Sequence, residues 1–277
     1  MRGGRRAEFL LLAASTLFFA FGFATPLWER PQFEPGPRPA DVLRVVTWNV
    51  GRGFSGAGHG LGEVDEDYVV DVLAGFDPDM CFLQEISSRQ QAQRIRERLG
   101  PGWILRARRV RDGDYLAIAI QRGELTTFQL RAAGRNALGG RYRRADGREI
   151  VGVDLHADAF SAERRNEQIG GAVDALHRRM SDVAHVVAGD LNLDLDLDKR
   201  RDLFTNNEYR DIETYNFVAE RLNDVARGRG STAEPDRRLD YIFVSPRHFV
   251  VVDAGPARGR RRGDMDHDPV VADLRLR

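Results

Sequence analysis

The stretch Val186–Leu193, V-V-A-G-D-L-N-L, passes from apolar to polar in a single step at Gly189. Val183–Ala188 reads as a buried strand, and a glycine at its end lets another backbone approach closely. Side chains alternate along a strand, so Asp190 and Asn192 are expected to project the same way from its carboxyl end. A carboxylate and an amide fixed side by side can share the oxygens of a phosphate or of a hydrated metal. The same letters also fit a turn, so the reading depends on what other strands bring to this point.

The neighbouring apolar runs end in a similar way. Leu43–Val50 (L-R-V-V-T-W-N-V) and Met80–Ile86 (M-C-F-L-Q-E-I) read as strands carrying Asn49 and Glu85 near their ends. Glu149–His156 follows an Asp146-Gly147 hairpin signal and closes on His156. Asp240 opens Y-I-F-V within the strand Leu239–Ser245, and Asp266-His267 precede the last strand, Val270–Leu276. Polar residues at strand ends beside loops are where a rigid scaffold carries its sites. Their types agree chemically: oxygen ligands for a hard cation, two imidazoles near carboxylates, and amides that donate to phosphate.

Further strands are expected at Trp103–Arg108, Tyr115–Gln121, Leu125–Leu130 and Phe249–Asp253. Asp65 is placed to cap a helix running to about Phe76, with Val69, Val72 and Leu73 inward. Ser88–Leu99 has a polar helical pattern stopped by Gly100-Pro101, and Ser161 opens a long helix to about Met180. An irregular, partly helical stretch runs on to Arg227, and Gly51–Gly62 is a glycine-dense loop. Short strands with interspersed helices point to an α/β sandwich of two sheets faced by helices.

At 277 residues the chain suits one large domain. Its 42 basic and 42 acidic residues cancel, so no global positive field announces a polyanion. Lys199 is the sole lysine, a bias that fits GC-rich bacterial coding. The single cysteine, Cys81, excludes an internal disulfide and a cysteine zinc cage, and reads as a small buried hydrophobe. Arg2, Arg5 and Arg6 precede Phe9–Trp28, a run without charge, which is the pattern of an export signal. Residues 1–30 are thus expected to be a signal peptide or signal anchor, and 31–41 a Pro-rich linker. Residues 42–277 would form the catalytic domain outside the cytoplasm, tethered to the membrane through residues 9–28 if the signal is retained.

These motifs resemble those of the endonuclease/exonuclease/phosphatase superfamily, related to pancreatic-type deoxyribonuclease. The resemblance rests on T-W-N-V at Thr47–Val50, L-Q-E at Leu83–Glu85, D-L-H at Asp154–His156 and G-D-L-N at Gly189–Asn192. R-L-D-Y-I-F-V-S at Arg238–Ser245 and D-H-D-P-V at Asp266–Val270 complete the series in the family's order. It implies a four-layer α/β/β/α sandwich, two mixed sheets packed face to face with helices outside. It also implies a divalent metal, magnesium or else manganese or calcium, held by Glu85 with Asn49 beside it and Asp266 nearby. By the same resemblance His267 meets the scissile phosphate, with Asp240 as its carboxylate partner. Asp190 handles the attacking water, Asn192 holds a phosphate oxygen and His156 is the second histidine. Gly51, where repair endonucleases carry an acidic ligand, and the presence of His156 both point away from an abasic-site repair enzyme.

The expected activity is therefore a metal-dependent phosphodiesterase, with nucleic acid as substrate and no obligate protein partner. A phospholipid or inositol-phosphate headgroup is the alternative, and a non-catalytic tethered binding module a lesser one. Tyr115 reads equally as a phosphate contact or a core residue. His59, His177, His185 and His248 fit no motif. Asp194–Asp198 fails the EF-hand pattern from either start and reads as a solvated loop. Arg258–Arg262 reads first as a solvated basic loop; its place just before Asp266-His267 also suits attraction of a polyanion or of lipid headgroups to the cleft.

Overall fold

In the computed structural model, residues 33–51, 63–110, 113–130, 134, 136–195, 205–263 and 265–277 are described. Their elements run β1 Val42–Asn49, α1 Glu63–Phe76, β2 Met80–Ile86, α2 Arg89–Leu99, β3 Trp103–Arg109 and β4 Tyr115–Gln121. Then follow β5 Glu124–Phe128, β6 Ala137–Arg143, β7 Glu149–His156, α3 Ala162–Met180, β8 Ala184–Asp190 and α4 Glu208–Ala219. The chain closes with β9 Asn223–Asp224, β10 Asp240–Val244, β11 Phe249–Pro256 and β12 Val270–Leu276.

The strands form two six-stranded sheets, ordered β11-β12-β1-β2-β4-β3 and β5-β6-β7-β8-β10-β9. Each sheet has one parallel pair at its centre, β1 with β2 and β7 with β8, and its other pairings are antiparallel. A parallel pair needs a crossover long enough to return the chain, and α1 and α3 lie in those two connections. The same order of elements thus occurs twice, a repeat of topology with no repeat of letters.

Three apolar clusters separate the layers. Met80, Phe82, Ile118, Leu138, Ile150, Val186 and Ile242 fill the space between the sheets. Val69, Leu73 and Ile95 of α1 and α2 pack on Trp48, Cys81 and Leu83 of the first sheet. Ile169, Val173, Leu176 and Val218 of α3 and α4 pack on Val151, Val153 and Val187 of the second. The result is the expected α/β/β/α sandwich, with both helical layers outside.

The elements depart from the sequence reading at instructive places. Residue 65 lies within α1, which begins at Glu63, so Asp65 is not its cap. Ser88 and Ser161 do cap α2 and α3, each hydroxyl accepting the N–H three residues on. β6, the strand before the Asp146-Gly147 turn, has no clear pattern of its own, because Gly139-Gly140 interrupts the apolar alternation of A-L-G-G-R-Y-R. Those glycines make room: a Cβ at Gly139 would stand 2.4 Å from the Phe128 ring, and one at Gly140 would stand 2.9 Å from Ile118.

The compact unit runs from Phe33, so it takes in residues that read as linker. Phe33 lies against Gly255, Arg44 donates to the Gly36 carbonyl at 2.7 Å, and Arg38 pairs with Asp79. Among the described residues no helix is long and apolar enough to cross a membrane. Residues 9–28 and 52–62, the expected signal segment and most of the glycine-dense loop, lie outside the described residues, as does His59.

Candidate active site

The two parallel pairs bring their carboxyl ends together. In register, Asn49 lies beside Gln84, His156 beside Asp190, and Asp190 beside Asp240 across the antiparallel partner. Asn49 spans the gap between the sheets, donating from Nδ2 to Glu85 Oε1 at 3.1 Å and to Asp190 Oδ2 at 2.9 Å. Its Oδ1 accepts the Gly51 N–H at 2.9 Å. In this orientation Asn49 joins the two acids and turns its oxygen away from them.

Glu85 reaches this place through a backbone irregularity. Pairing of β2 with β4 slips between Leu83 and Ile86, and Glu85 takes φ 56°. A bulge of this kind re-aims a side chain out of the ladder. A non-glycine residue in the left-handed region costs about 1–3 kcal/mol and is held there by its surroundings. Asn192 is also left-handed, at φ 51°. It therefore does not continue the alternation of β8. Its N–H donates to Asp190 Oδ1 at 2.9 Å, and its Nδ2 to the Ala157 carbonyl at 3.1 Å.

Asp190 sits between the two imidazoles. His156 Nε2 and His267 Nε2 each stand 3.7 Å from its Oδ2, and His156 Nε2 is also 3.7 Å from Glu85 Oε1. His267 Nδ1 is 2.8 Å from Asp240 Oδ2. Burial works against charge on His267. The carboxylates of Asp240, Asp190 and Asp266 and the Asp240 hydrogen bond outweigh it and raise its pKa to about 10. Burial likewise pushes the Asp240 carboxyl up, and the His267 charge pulls it back. Three carboxylates around one ring favour the imidazolium, so the pair is Asp240 carboxylate with protonated His267. Asp266 stands at the rim, its carboxylate 3.8 Å from His267 Nε2 and mostly exposed.

Asp190, Asp240 and His267 place one ligand atom each within 4.8 Å of one another. A doubly protonated imidazole has no lone pair for a metal, so this trio is better described as an ion pair. The better fit for a divalent cation is the Glu85–Asp190 pair. Their carboxylates, joined by Asn49, offer hard oxygen donors suited to such an ion.

Further residues position the site, and of these Thr232 belongs to no motif. The Thr232 hydroxyl accepts the N–H groups of Leu239 and Asp240, and its carbonyl accepts that of Asp268 at 2.7 Å. Trp48 Nε1 donates to the His267 carbonyl at 3.1 Å, tying the last loop to β1. Gln84 Nε2 bridges Thr47 and the buried Asp154 of the facing sheet, at 3.1 and 2.6 Å. Thr47 and Trp48, Gln84, and Asp154 lie in the T-W-N, L-Q-E and D-L-H motifs, which gave them no role of their own. Tyr115 pairs with Ile86 across the bulge and packs on the helix-side core of the first sheet.

The remaining candidates are absorbed by structure. Cys81 is buried, and burial pushes its thiol far above the ordinary range. His185 and His248 face each other with ring centroids 6.2 Å apart, at the end of β8 remote from Asp190. Asp194 is buried beside Arg237 at 3.6 Å, which corrects the solvated reading of that residue; 196–198 lie outside the described residues. The basic loop is largely neutralised in place. Arg260 reaches Glu34, Arg261 reaches Glu234 and Asp268, and Arg262 lies over the Tyr68 ring.

With this geometry in hand, comparison with known proteins gives one consistent answer. A family model described as the Endonuclease/Exonuclease/phosphatase family matches residues 46–259. No curated protein sequence matches. Among solved structures, an endonuclease/exonuclease/phosphatase from Bacteroides vulgatus aligns over 85% of this chain and 99% of its own, with TM-score 0.65 and 19% identity. The human Nocturnin catalytic domain with bound sulfate covers 91% of this chain and 98% of its own, at TM-score 0.64 and 19% identity. A mannosyl-6-phosphatase from Bacteroides thetaiotaomicron covers 84% and 99%, at TM-score 0.63 and 21% identity. At these identities the likeness is one of fold.

Proposed function

The chain belongs to the endonuclease/exonuclease/phosphatase family, whose members hydrolyse phosphoric esters, and on that premise we propose that it cleaves phosphodiester bonds in nucleic acid outside the cytoplasm. The observation that carries the reading is the placement of Asp190 between two imidazoles, each Nε2 3.7 Å from the same carboxylate oxygen. A phosphodiester requires a water aimed at phosphorus and a proton for the departing alkoxide, and this arrangement has a group for each.

Asp190 is fixed by the Asn192 N–H and the Asn49 amide, so its carboxylate can orient a water and accept its proton. Protonated His267, held by Asp240, donates a hydrogen bond to a phosphate oxygen as negative charge grows there. His156 Nε2, 3.7 Å from the same Asp190 oxygen, is assigned the proton for the leaving oxygen. Asn192 has a second amide hydrogen beyond the one given to Ala157, available to the phosphate. Glu85 and Asp190 would hold a divalent cation, which would supply charge neutralisation for the anionic substrate. Residues 9–28 are proposed to direct export, either as a cleaved signal or as a retained anchor.

The test incubates the full chain with plasmid DNA, RNA, sphingomyelin and inositol phosphates, with magnesium and with chelator. Cleavage of a nucleic acid, lost with chelator and reduced by at least about 100-fold in Asp190→Ala and His267→Ala, is expected. Variants as fast as the parent would falsify the assignment. Turnover of sphingomyelin or inositol phosphate alone would move the substrate to a headgroup.

A further inference from the structure

Phe160 is the most exposed large hydrophobic side chain among the described residues, at 76%. It belongs to the five-residue loop that leaves β7 directly after His156. A hydrophobe just before a helix N-cap ordinarily packs on the fourth helical residue. Here the cap is Ser161 and the fourth residue is Arg165, whose guanidinium is buried and committed to Asp211. The usual structural use of such a residue is therefore absent, and Phe160 belongs to none of the three core clusters.

The ring is exposed, yet the backbone beneath it is firmly held. Ala157 is fixed on both sides, its N–H donating to the Asp190 carbonyl and its own carbonyl accepting Asn192 Nδ2. Asp158 Oδ1 accepts the N–H groups of Phe160 and Ser161 at 3.0 and 2.8 Å, and the Asp158 N–H donates to Gln168 at 2.8 Å. Arg165 Nη1 donates to the Asp158 carbonyl at 2.8 Å, while its Nε and Nη2 hold Asp211 at 2.8 and 2.7 Å. The Cα of Phe160 can be no more than about 14 Å from that of His156 at full stretch, and the turn at Asp158 shortens this. An exposed aromatic ring on a firmly held backbone thus stands within a nucleotide's reach of the proposed leaving-group acid.

We propose that Phe160 is a stacking surface for an unpaired base of the nucleic acid whose phosphodiester lies at His156 and His267. The inference rests on the nuclease reading above and deepens it, because bases in a duplex already have both faces covered. A lone ring flanked by Asp158, Glu163 and Arg164 suits one planar partner; a bilayer would call for a wider apolar patch.

The experiment uses the full chain as parent, Phe160→Ala and Phe160→Trp. KM and kcat are measured on a single-stranded oligonucleotide and on the same strand with tetrahydrofuran units replacing the nucleosides around the cut. The parent is expected to favour the base-bearing strand by about tenfold in KM, the size of one base–aromatic stack, with Phe160→Trp keeping this preference and Phe160→Ala losing it. Survival of the preference in Phe160→Ala overturns the proposal, as does equal loss on both strands. Binding of a strand carrying 2-aminopurine in chelator gives a second readout, since stacking quenches its fluorescence. If no strand is cleaved under any condition, the nuclease reading fails. Quenching by the parent and not by Phe160→Ala then still supports the stack, and equal quenching or none overturns it. Lost binding to anionic vesicles with unchanged oligonucleotide parameters would assign the ring to a membrane and also overturn the proposal.

Discussion

Glu85 shows where single letters stop being informative. As an acid near the end of an apolar run it could be singled out as a ligand, but its direction depends on φ 56° and a slipped register with β4. Neither has a residue signature, because a bulge is a property of two paired strands. Asn192 is the mirror case: alternation put it beside Asp190 on one face, and its left-handed backbone turned it onto Ala157 instead. Asp154 opens the D-L-H motif without a role of its own there, and it lies buried between the sheets. Burial raises its carboxyl well above the ordinary range, against the pull of the Gln84 bond and nearby N–H groups. The sign of the consequence is fixed. Above about pH 4 the unfolded chain releases this proton and the folded chain keeps it, so stability falls as pH rises toward the raised folded value. Asp154→Asn replaces the protonated acid by an amide that can still accept from Gln84. Its thermal midpoint relative to the parent should therefore be higher at pH 8 than at pH 5. A difference that does not change between the two pH values would remove Asp154 from this role.

At the scale of elements, the long apolar strands and the two serine-capped helices were legible because period and cap chemistry agree. β6 was not, because its pattern is written partly in the opposite sheet: Gly140 is small where Ile118 intrudes. Gly189 combines both kinds of constraint. It has φ 142°, and a Cβ there would stand 1.9 Å from the Leu155 carbonyl oxygen of the parallel neighbour. Backbone cannot yield as a flexible side chain can, and only glycine adopts such a φ without strain. Gly189→Ala is expected to cost about 3–5 kcal/mol, combining strain with overpacking. Because Leu155 and Gly189 are in register one step before His156 and Asp190, the same change should also pull those two apart. Gly75 in α1 is the control, with nothing within 4 Å of an added Cβ. Gly75→Ala should be neutral or stabilising by up to about 1 kcal/mol. Urea denaturation compares the pair, and similar midpoints for both would refute the close-approach account of Gly189.

For the whole molecule, the repeated order of elements explains why one cleft collects residues from so far apart in the chain. Each sheet has one place where two strands end side by side in the same direction, and packing the sheets face to face sets those places against each other. That meeting cannot be read from the letters, since topology repeats here without sequence. The boundary of the folded unit was also hidden, because proline spacing at residues 31–40 describes a stiff extended chain and is silent on what that chain lies against. Arg38 decides the matter physically. It pairs with Asp79, donates to the Val42 carbonyl at 2.8 Å and approaches Asp77 at 3.4 Å. Asp79 in turn accepts the Arg44 N–H at 2.8 Å, so the contact reaches into β1. The Arg38–Asp79 side chains are 16% and 19% exposed, which leaves the pair partly screened and places its worth at about 1–2 kcal/mol. For a domain of this size Arg38→Ala should then lower the thermal midpoint by about 2–8 °C. If the segment were a free tether, the same substitution would leave the midpoint within about a degree of the parent, since surface changes away from packed features are nearly neutral. Differential scanning calorimetry separates the two outcomes.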